Sequence, residues 1–158
     1  MAKIELTPRL QALDPAGEPP IGAHVLTPRR GYTHHGIYVG RGRVVHYGGF
    51  SRGLHRGPVE EVSLSQFARG RSIWIRPWDV TAVSPEEVVH RARRRIGENR
   101  YRVLTNNCEH FCEWCISGAP RSYQVDTLIG ACRRMSRQLL SLASRASFLK
   151  LHLAGTIQ

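Results

Sequence analysis

The chain has 158 residues, of which 41% are hydrophobic. This length suits one domain with a core and an appendage, and it is too short for two full domains. Lysine and arginine number 23 against 12 acidic residues, and the net charge of +11 predicts an anionic binding surface, either phospholipid or nucleic acid. All four cysteines lie in the last third of the chain, which argues against a secreted disulfide framework.

Two short β-rich runs dominate the first third of the sequence. Residues 1–20 end in a segment rich in proline and glycine and are predicted to be a flexible lead-in, and 22–26 is a first strand candidate. Residues 32–40 and 44–47 are rich in aromatic and β-branched side chains and are joined by a glycine-containing loop, which predicts a hairpin. Since side chains two apart share a face, the hairpin can bring His34 and His46 to the same side.

The middle of the chain predicts a loop, two further strands and a helix. Residues 48–58 are rich in glycine and are expected to form a mobile loop. Residues 59–64 and 72–75 are strand candidates separated by a turn at 65–68. Ser84 followed by Pro85, with Glu87 three residues after the serine, is a strong helix start.

Cys108 is the nucleophile candidate. A short extended run at 101–104 precedes it, and apolar residues then recur at spacings of three and four until Gly118, which predicts a helix capped by Asn106 or Asn107. Cys108 therefore falls in the first helical turn. There the free N–H groups and the helix dipole favour a thiolate, so we expect its pKa to be lowered.

The tail carries an apolar seam on a helix whose charges have one sign. From Leu128 to Leu153 apolar residues alternate at spacings of four and three, and the charges between Arg133 and Lys150 are all basic. A coiled coil would normally supply both signs, so the pattern suits an anionic bilayer surface. Packing on protein, including self-association through this helix, is the alternative.

A cysteine in a first helical turn and two histidines on a preceding hairpin fit thiol-based acyl transfer. A zinc site from Cys108, Cys112 and Cys115 is disfavoured, because a C-x3-C-x2-C series lies along one helix face. Nucleic-acid binding is also disfavoured, because the basic residues are scattered and no basic motif with interleaved aromatic residues occurs.

Three sequence motifs resemble the lecithin retinol acyltransferase-like family over roughly residues 20–126. They are His-His-Gly-Ile-Tyr-Val-Gly at 34–40, Val-His-Tyr at 45–47 and Asn-Cys-Glu-His-Phe at 107–111. The resemblance implies a permuted papain-like fold of the NlpC type, in which the histidines precede the cysteine. It also implies that an acyl group from a phospholipid ester is held on the cysteine as a thioester and passed to water, an amine or an alcohol.

The family motif assigns the site residues. It implies Cys108 as nucleophile, His34 as general base and acid, and His46 as the residue that orients His34. The backbone N–H of Cys108 is the expected oxyanion donor, with Tyr32 as a second donor. His110 points away from Cys108 on the helix and is interpreted as structural. No metal or other cofactor is expected.

The sequence therefore predicts an α+β protein with a small antiparallel sheet packed against helices. Its expected parts are the lead-in (1–20), a catalytic domain (21–126) and a basic amphipathic helix (127–158). The predicted function is that of a thiol acyltransferase or phospholipase, cytoplasmic and attached peripherally to anionic membranes. The alternatives are a peptidase or amidase with the same Cys-His machinery, and a membrane-binding module without catalysis.

Overall fold

A computed structural model describes residues 9–49, 57–78 and 82–154, with side chains described up to residue 140. The strands are β1 (Gln11–Ala12), β2 (His24–Arg29), β3 (Tyr32–Gly40), β4 (Arg43–Gly49), β5 (Gly57–Ser63) and β6 (Trp74–Arg76). The helices are α1 (Leu64–Ala68), α2 (Pro85–Arg94), α3 (Cys108–Ser117) and α4 (Tyr123–Ala154).

The six strands form one open antiparallel sheet in the order β1-β6-β2-β3-β4-β5. The predicted α+β class and antiparallel sheet are confirmed. The predicted hairpin is also present as β3 and β4, with Ile37 opposite Val45 and Tyr38 opposite Val44. This register puts His34 and His46 on the same face.

Two hydrophobic layers cover the sheet, one on each face. On one face α2 and α3 pack on the odd-numbered residues of β3, with Ile37, Val45 and Phe111 fully buried. On the other face α1 supplies Phe67, which packs on Tyr38 and Val44. The alternation of side chains along β3 therefore assigns consecutive residues to different layers.

Several elements differ from the sequence-based prediction. Residues 65–68 form part of α1 rather than a turn, because Ser63 and Gln66 make a capping box that satisfies first-turn donors. The expected extended run at 101–104 is a tight turn closed by an Arg102–Asn106 bridge. In the expected lead-in, Gln11–Ala12 pairs with β6. Most of the predicted mobile loop, residues 50–56, lies outside the described residues.

The helices predicted to begin at Ser84 and at Asn106 or Asn107 are both present in the structure. Ser84 caps α2 by accepting the N–H of Glu87, and Asn107 caps α3, which ends at Gly118 in the left-handed conformation. The chain divides into two compact units after Ser122, the second containing α4. Among the described residues, no helix has both the length and the apolar character needed to cross a bilayer.

Candidate active site

Two of the predicted site residues form a hydrogen-bonded pair of imidazoles. The Nε2 atom of His34 lies 3.0 Å from Nδ1 of His46, and both side chains are almost fully buried. The ring of Phe67 stacks on His34 with centroids 5.3 Å apart, so α1 fixes the orientation of that ring. The predicted juxtaposition of His34 and His46 is confirmed.

Gly36 makes room for this stacking. A Cβ atom at position 36 would lie 2.5 Å from Val44 and 2.9 Å from Phe67, closer than real side chains approach. The small residue two positions after His34 is therefore required by the approach of α1 to the sheet. This is a packing reason for the glycine in the His-x-Gly-Ile-Tyr motif.

A cavity of about 300 Å³ opens beside the imidazole pair. Its walls include His34, His46 and Glu60 from the sheet, together with Arg29 and Arg69. The guanidinium of Arg29 is held in place by donating to the main-chain oxygen of Phe67. A substrate group in this cavity would thus meet two imidazoles, one carboxylate and two positive charges.

Cys108 lies at the first residue of α3, as predicted, with its side chain 3% exposed. It belongs to the hydrophobic layer on the α3 face, whereas the rings of His34 and His46 contact Phe67 of α1. The backbone N–H of His35 donates to its sulfur. The sulfur therefore lies beside the peptide bond that joins His34 to His35.

The end of the β3–β4 ladder explains how a main-chain donor reaches the sulfur. Tyr38 exchanges backbone hydrogen bonds with Gly22 and Ala23, so the even-numbered residues of β3 direct their main chain toward β2. His35, an odd-numbered residue, directs its N–H toward β4, but the pairing with β4 stops at Ile37. Beyond that pair the Cys108 sulfur accepts the N–H of His35.

The expectation of a lowered pKa for Cys108 was wrong. The backbone N–H groups of His35, Glu109 and Cys108 all favour the thiolate, as the helix-end argument requires. Burial is the larger effect, and it raises the pKa of Cys108 to about 11. A sulfur with this pKa is a thiol at neutral pH, so a nucleophilic role would require a base to take its proton.

The expected base is neutral at physiological pH. Burial and then the charge of His46 hold the pKa of His34 well below its usual value. A neutral ring has one nitrogen with a free lone pair, so it can accept a proton. At rest the Cys108 thiol and the His34 imidazole are therefore both neutral.

Of the two predicted oxyanion donors, the backbone N–H of Cys108 lies beside the sulfur. The N–H of Cys108 points at its own thiol, while Asn107 Oδ1 accepts the N–H groups of Glu109 and His110 at 3.0 Å. Tyr32 is 37% exposed, and its pKa is raised first by its partial burial and then by the negative charge that a Cys108 thiolate would carry. Its role in catalysis remains a prediction.

His110 has the structural role expected for it. Its Nδ1 atom accepts the backbone N–H of Asn107 at 3.4 Å, which completes the capping box of α3. All four cysteines are free.

A second pair of buried histidines escaped the sequence analysis. His35 Nδ1 lies 2.8 Å from His24 Nε2 on the α3 face, and both residues are fully buried. Arg76 lies in the same layer and joins Glu109 at 3.0 Å and Glu113 at 3.3 Å. Nothing in the local sequence indicates this network, because its members come from four separate elements.

Glu60 was also missed by the sequence analysis. It lies opposite His46 in the β4–β5 ladder, with its carboxylate 3.7 Å from His46 Nε2. Adjacent glutamates on a strand face opposite sides, and only the register between β4 and β5 shows which of the two meets the histidine.

Comparison with known proteins supports the resemblance of the motifs. A family model described as lecithin retinol acyltransferase matches residues 17–121, well over half of the chain. Human lecithin retinol acyltransferase is 30% identical over 146 aligned positions, covering 75% of this chain and 64% of that protein. The bovine protein is 32% identical (63% and 55% covered) and the rat protein 30% (62% and 54%).

The aligned region thus spans between about half and two thirds of the length of these relatives. It includes the β3–β4 hairpin and the whole of α3, so the imidazole pair and the cysteine all fall within the family match. The chain belongs to the lecithin retinol acyltransferase family.

Proposed function

We propose that the protein is a thiol acyltransferase or phospholipase. It takes an acyl chain from a phospholipid ester through a thioester on Cys108 and passes it to water, an amine or an alcohol. The observation that carries the proposal is the contact between the Cys108 sulfur and the His35 main chain, next to the His34–His46 pair. The order of histidines before cysteine supports the permuted papain-like arrangement.

The first half of the reaction forms the acyl-enzyme. His34 takes the thiol proton, and the sulfur attacks the ester carbonyl to give a tetrahedral oxyanion. The N–H of Cys108 and the hydroxyl of Tyr32 are suited to stabilise this oxyanion. The ester C–O bond then breaks, His34 returns the proton to the leaving alkoxide, and the lysophospholipid departs.

The second half transfers the acyl group. His34 removes a proton from water, an amine or an alcohol, and that acceptor attacks the thioester carbonyl. The C–S bond breaks, and the sulfur recovers the proton from His34. The same imidazole thus acts twice as base and twice as acid, which suits a ring whose neutral form predominates at rest.

The arginines of the cavity support a phosphate-bearing substrate over a neutral peptide. Arg29 and Arg69 both line the cavity, and neither has an ion pair with an acidic residue within the described parts of the chain. Guanidinium groups bind phosphate oxygens in a bidentate manner.

The test measures fatty acid and acyl acceptor products from mixed phospholipid vesicles. We expect Cys108→Ala to abolish turnover and Cys112→Ala, a buried cysteine one turn along α3, to retain it. Cleavage of peptide amides without lipid turnover would identify an amidase instead. Vesicle binding with no turnover of either substrate would identify a non-catalytic module.

We propose that α4 attaches the protein peripherally to anionic membranes. Leu128, Met135, Leu139 and Leu140 are between 57% and 70% exposed, and Arg133, Arg134 and Arg137 are exposed on the same helix. Exposed apolar side chains beside basic ones suit the interface of an anionic bilayer. The four free cysteines support a reducing, cytoplasmic location.

Flotation with phosphatidylserine vesicles tests this attachment. We expect the combined Arg133→Gln, Arg134→Gln and Arg137→Gln variant to float less than wild type. The control variant loses the same charge at the exposed Arg94, Arg100 and Arg102. Equal flotation of both variants would contradict a membrane role for α4, and concentration-dependent dimerisation lost in Leu139→Ser would favour self-association.

A further inference from the structure

We infer that Glu60 is a positioning residue that sets the tautomers of both site histidines. The inference rests on the proposed function, because it assigns a role in proton transfer at the same site. It starts from three groups in a row: His34 Nε2 lies 3.0 Å from His46 Nδ1, and His46 Nε2 lies 3.7 Å from Glu60. The imidazole pair thus has a carboxylate at its far end.

The carboxylate selects one of two hydrogen-bond directions through the pair. An ionised carboxylate only accepts, so it favours a proton on His46 Nε2. In the neutral ring His46 Nδ1 is then an acceptor, and it must receive the proton of His34 Nε2. His34 is left with its free lone pair on Nδ1, the form that can take the Cys108 proton.

The opposite direction would disable the base. If His46 carried its proton on Nδ1, it would donate to His34 Nε2, and neutral His34 would hold its own proton on Nδ1. That ring has no lone pair with which to accept the thiol proton. One carboxylate therefore decides, through His46, whether His34 is a base or a donor.

The surroundings of the pair make the carboxylate effective. His46 is 4% exposed, and the side chain of Glu60 is 22% exposed. Water therefore screens only part of the interaction between the Glu60 carboxylate and the His46 ring. When His34 becomes an imidazolium, the negative charge of Glu60 offsets the positive charges of Arg29 and Arg69 on the same cavity.

Glu61 provides a matched control on the same strand. It lies opposite Val45, on the other face of the sheet from His46, and its carboxylate binds Arg43 and Arg93 at 3.3 and 3.2 Å. Glu60→Gln and Glu61→Gln remove the same charge from neighbouring positions of β5. Only the first alters the group that faces the imidazole pair.

Glu60→Gln should reverse the tautomer preference of both histidines rather than merely weaken it, because a side-chain amide can donate to His46 Nε2. We expect kcat on phospholipid vesicles to fall about 10- to 100-fold with KM unchanged. A larger loss, about 10⁴-fold, is typical when the replaced carboxylate bonds the catalytic histidine directly. The smaller loss is expected here because Glu60 acts on His34 through His46. Glu60→Asp should recover most of the rate, and Glu61→Gln should stay close to wild type.

Imidazole ¹⁵N NMR of the full-length protein gives a readout that does not depend on turnover. The inference predicts a proton on Nε2 of both histidines in wild type and on Nδ1 of His46 in Glu60→Gln. Unchanged tautomers in that variant would overturn the inference, as would equal losses of kcat in Glu60→Gln and Glu61→Gln. Loss of the proposed function itself would be seen separately, as Cys108→Ala turning over at the wild-type rate.

Discussion

His34 and His35 are neighbours in sequence, yet they belong to two histidine pairs with opposite surroundings. His34 bonds His46 on one face of the sheet, beside a cavity of about 300 Å³. His35 bonds His24 on the other face, where both rings are 0% exposed and an Arg76–Glu109 ion pair lies close by. The two pairs have similar nitrogen–nitrogen distances of 3.0 and 2.8 Å, and the pKa values of His34, His24 and His35 are all well below the usual value.

Access separates the two pairs. Burial is the first cause of the lowered pKa in each, so the pKa alone would not tell a base from a packing residue. The first pair opens to a space large enough for part of a substrate, whereas the second is sealed beneath α3. We therefore assign chemistry to the His34 pair and stability to the His35 pair.

The largest expected effect comes from replacing each histidine of β3 in turn. His34→Gln should lower kcat about 10²- to 10⁴-fold, because the thiol loses its base. His35→Gln should leave kcat per folded molecule within about threefold, since only its main chain contacts Cys108. The free energy of unfolding of His35→Gln should be about 1–3 kcal/mol below that of wild type, because His24 loses its buried partner.

Steady-state kinetics and urea unfolding measure both quantities on the same samples. The assignment fails if His35→Gln lowers kcat as much as His34→Gln does. It fails equally if the two variants lose the same free energy of unfolding while both retain activity.

Removing one partner of the ion pair beside the sealed histidines should cost much stability. Glu109 is 0% exposed, bonds Arg76 at 3.0 Å and accepts the Ser122 hydroxyl at 2.7 Å. Glu109→Gln should lower the free energy of unfolding by about 3 kcal/mol, because it leaves part of a buried charge without its partner. Thermal and urea unfolding check this value.

Glu87 serves as the control for that experiment. It pairs with Arg91 on the surface of α2, and Glu87→Gln should leave stability nearly unchanged. If both variants lost a similar free energy of unfolding, burial on the α3 face would not explain the contribution of Glu109 to stability.

For a single residue the smallest expected effect is a pH dependence of stability, to which three buried histidines should contribute. His24, His34 and His35 have pKa values below their usual 6.5 in the folded protein, so the unfolded chain binds more protons below that pH. Stability should be full above about pH 6.5 and decline as pH falls, by up to about 1.4 kcal/mol per pH unit for each histidine.

Urea unfolding at pH 7.5, 6.5 and 5.5 measures this slope. His35→Gln should show a shallower decline than wild type, since one titrating ring has been removed. A wild-type protein that becomes more stable toward pH 5.5 would contradict the depressed pKa values.

Local patterns in the sequence were sufficient for the helices that frame the site and for one face of the hairpin. The period of two along the hairpin strands predicted His34 and His46 on one face, and the family motif assigned the base to His34. The helix at 64–68 could have been found too, because Ser63 and Gln66 have the spacing of a capping box.

Features that depend on contacts between distant elements could not be predicted. Glu60 meets His46 only through the β4–β5 register, and Arg76 meets Glu109 across 33 residues. The pKa of Cys108 was misjudged for the same reason. The helix end favours the thiolate, but the layer that buries the sulfur is assembled from β3, β4 and α3.

The most direct test of the account is the mass of the protein after a single turnover on phospholipid vesicles. We expect an acyl adduct that maps to Cys108 and that hydroxylamine removes, as it does for a thioester. The adduct should form at least about 10²-fold more slowly in His34→Gln. An adduct on Cys112 or Cys132, or one that forms at the wild-type rate without His34, would contradict it.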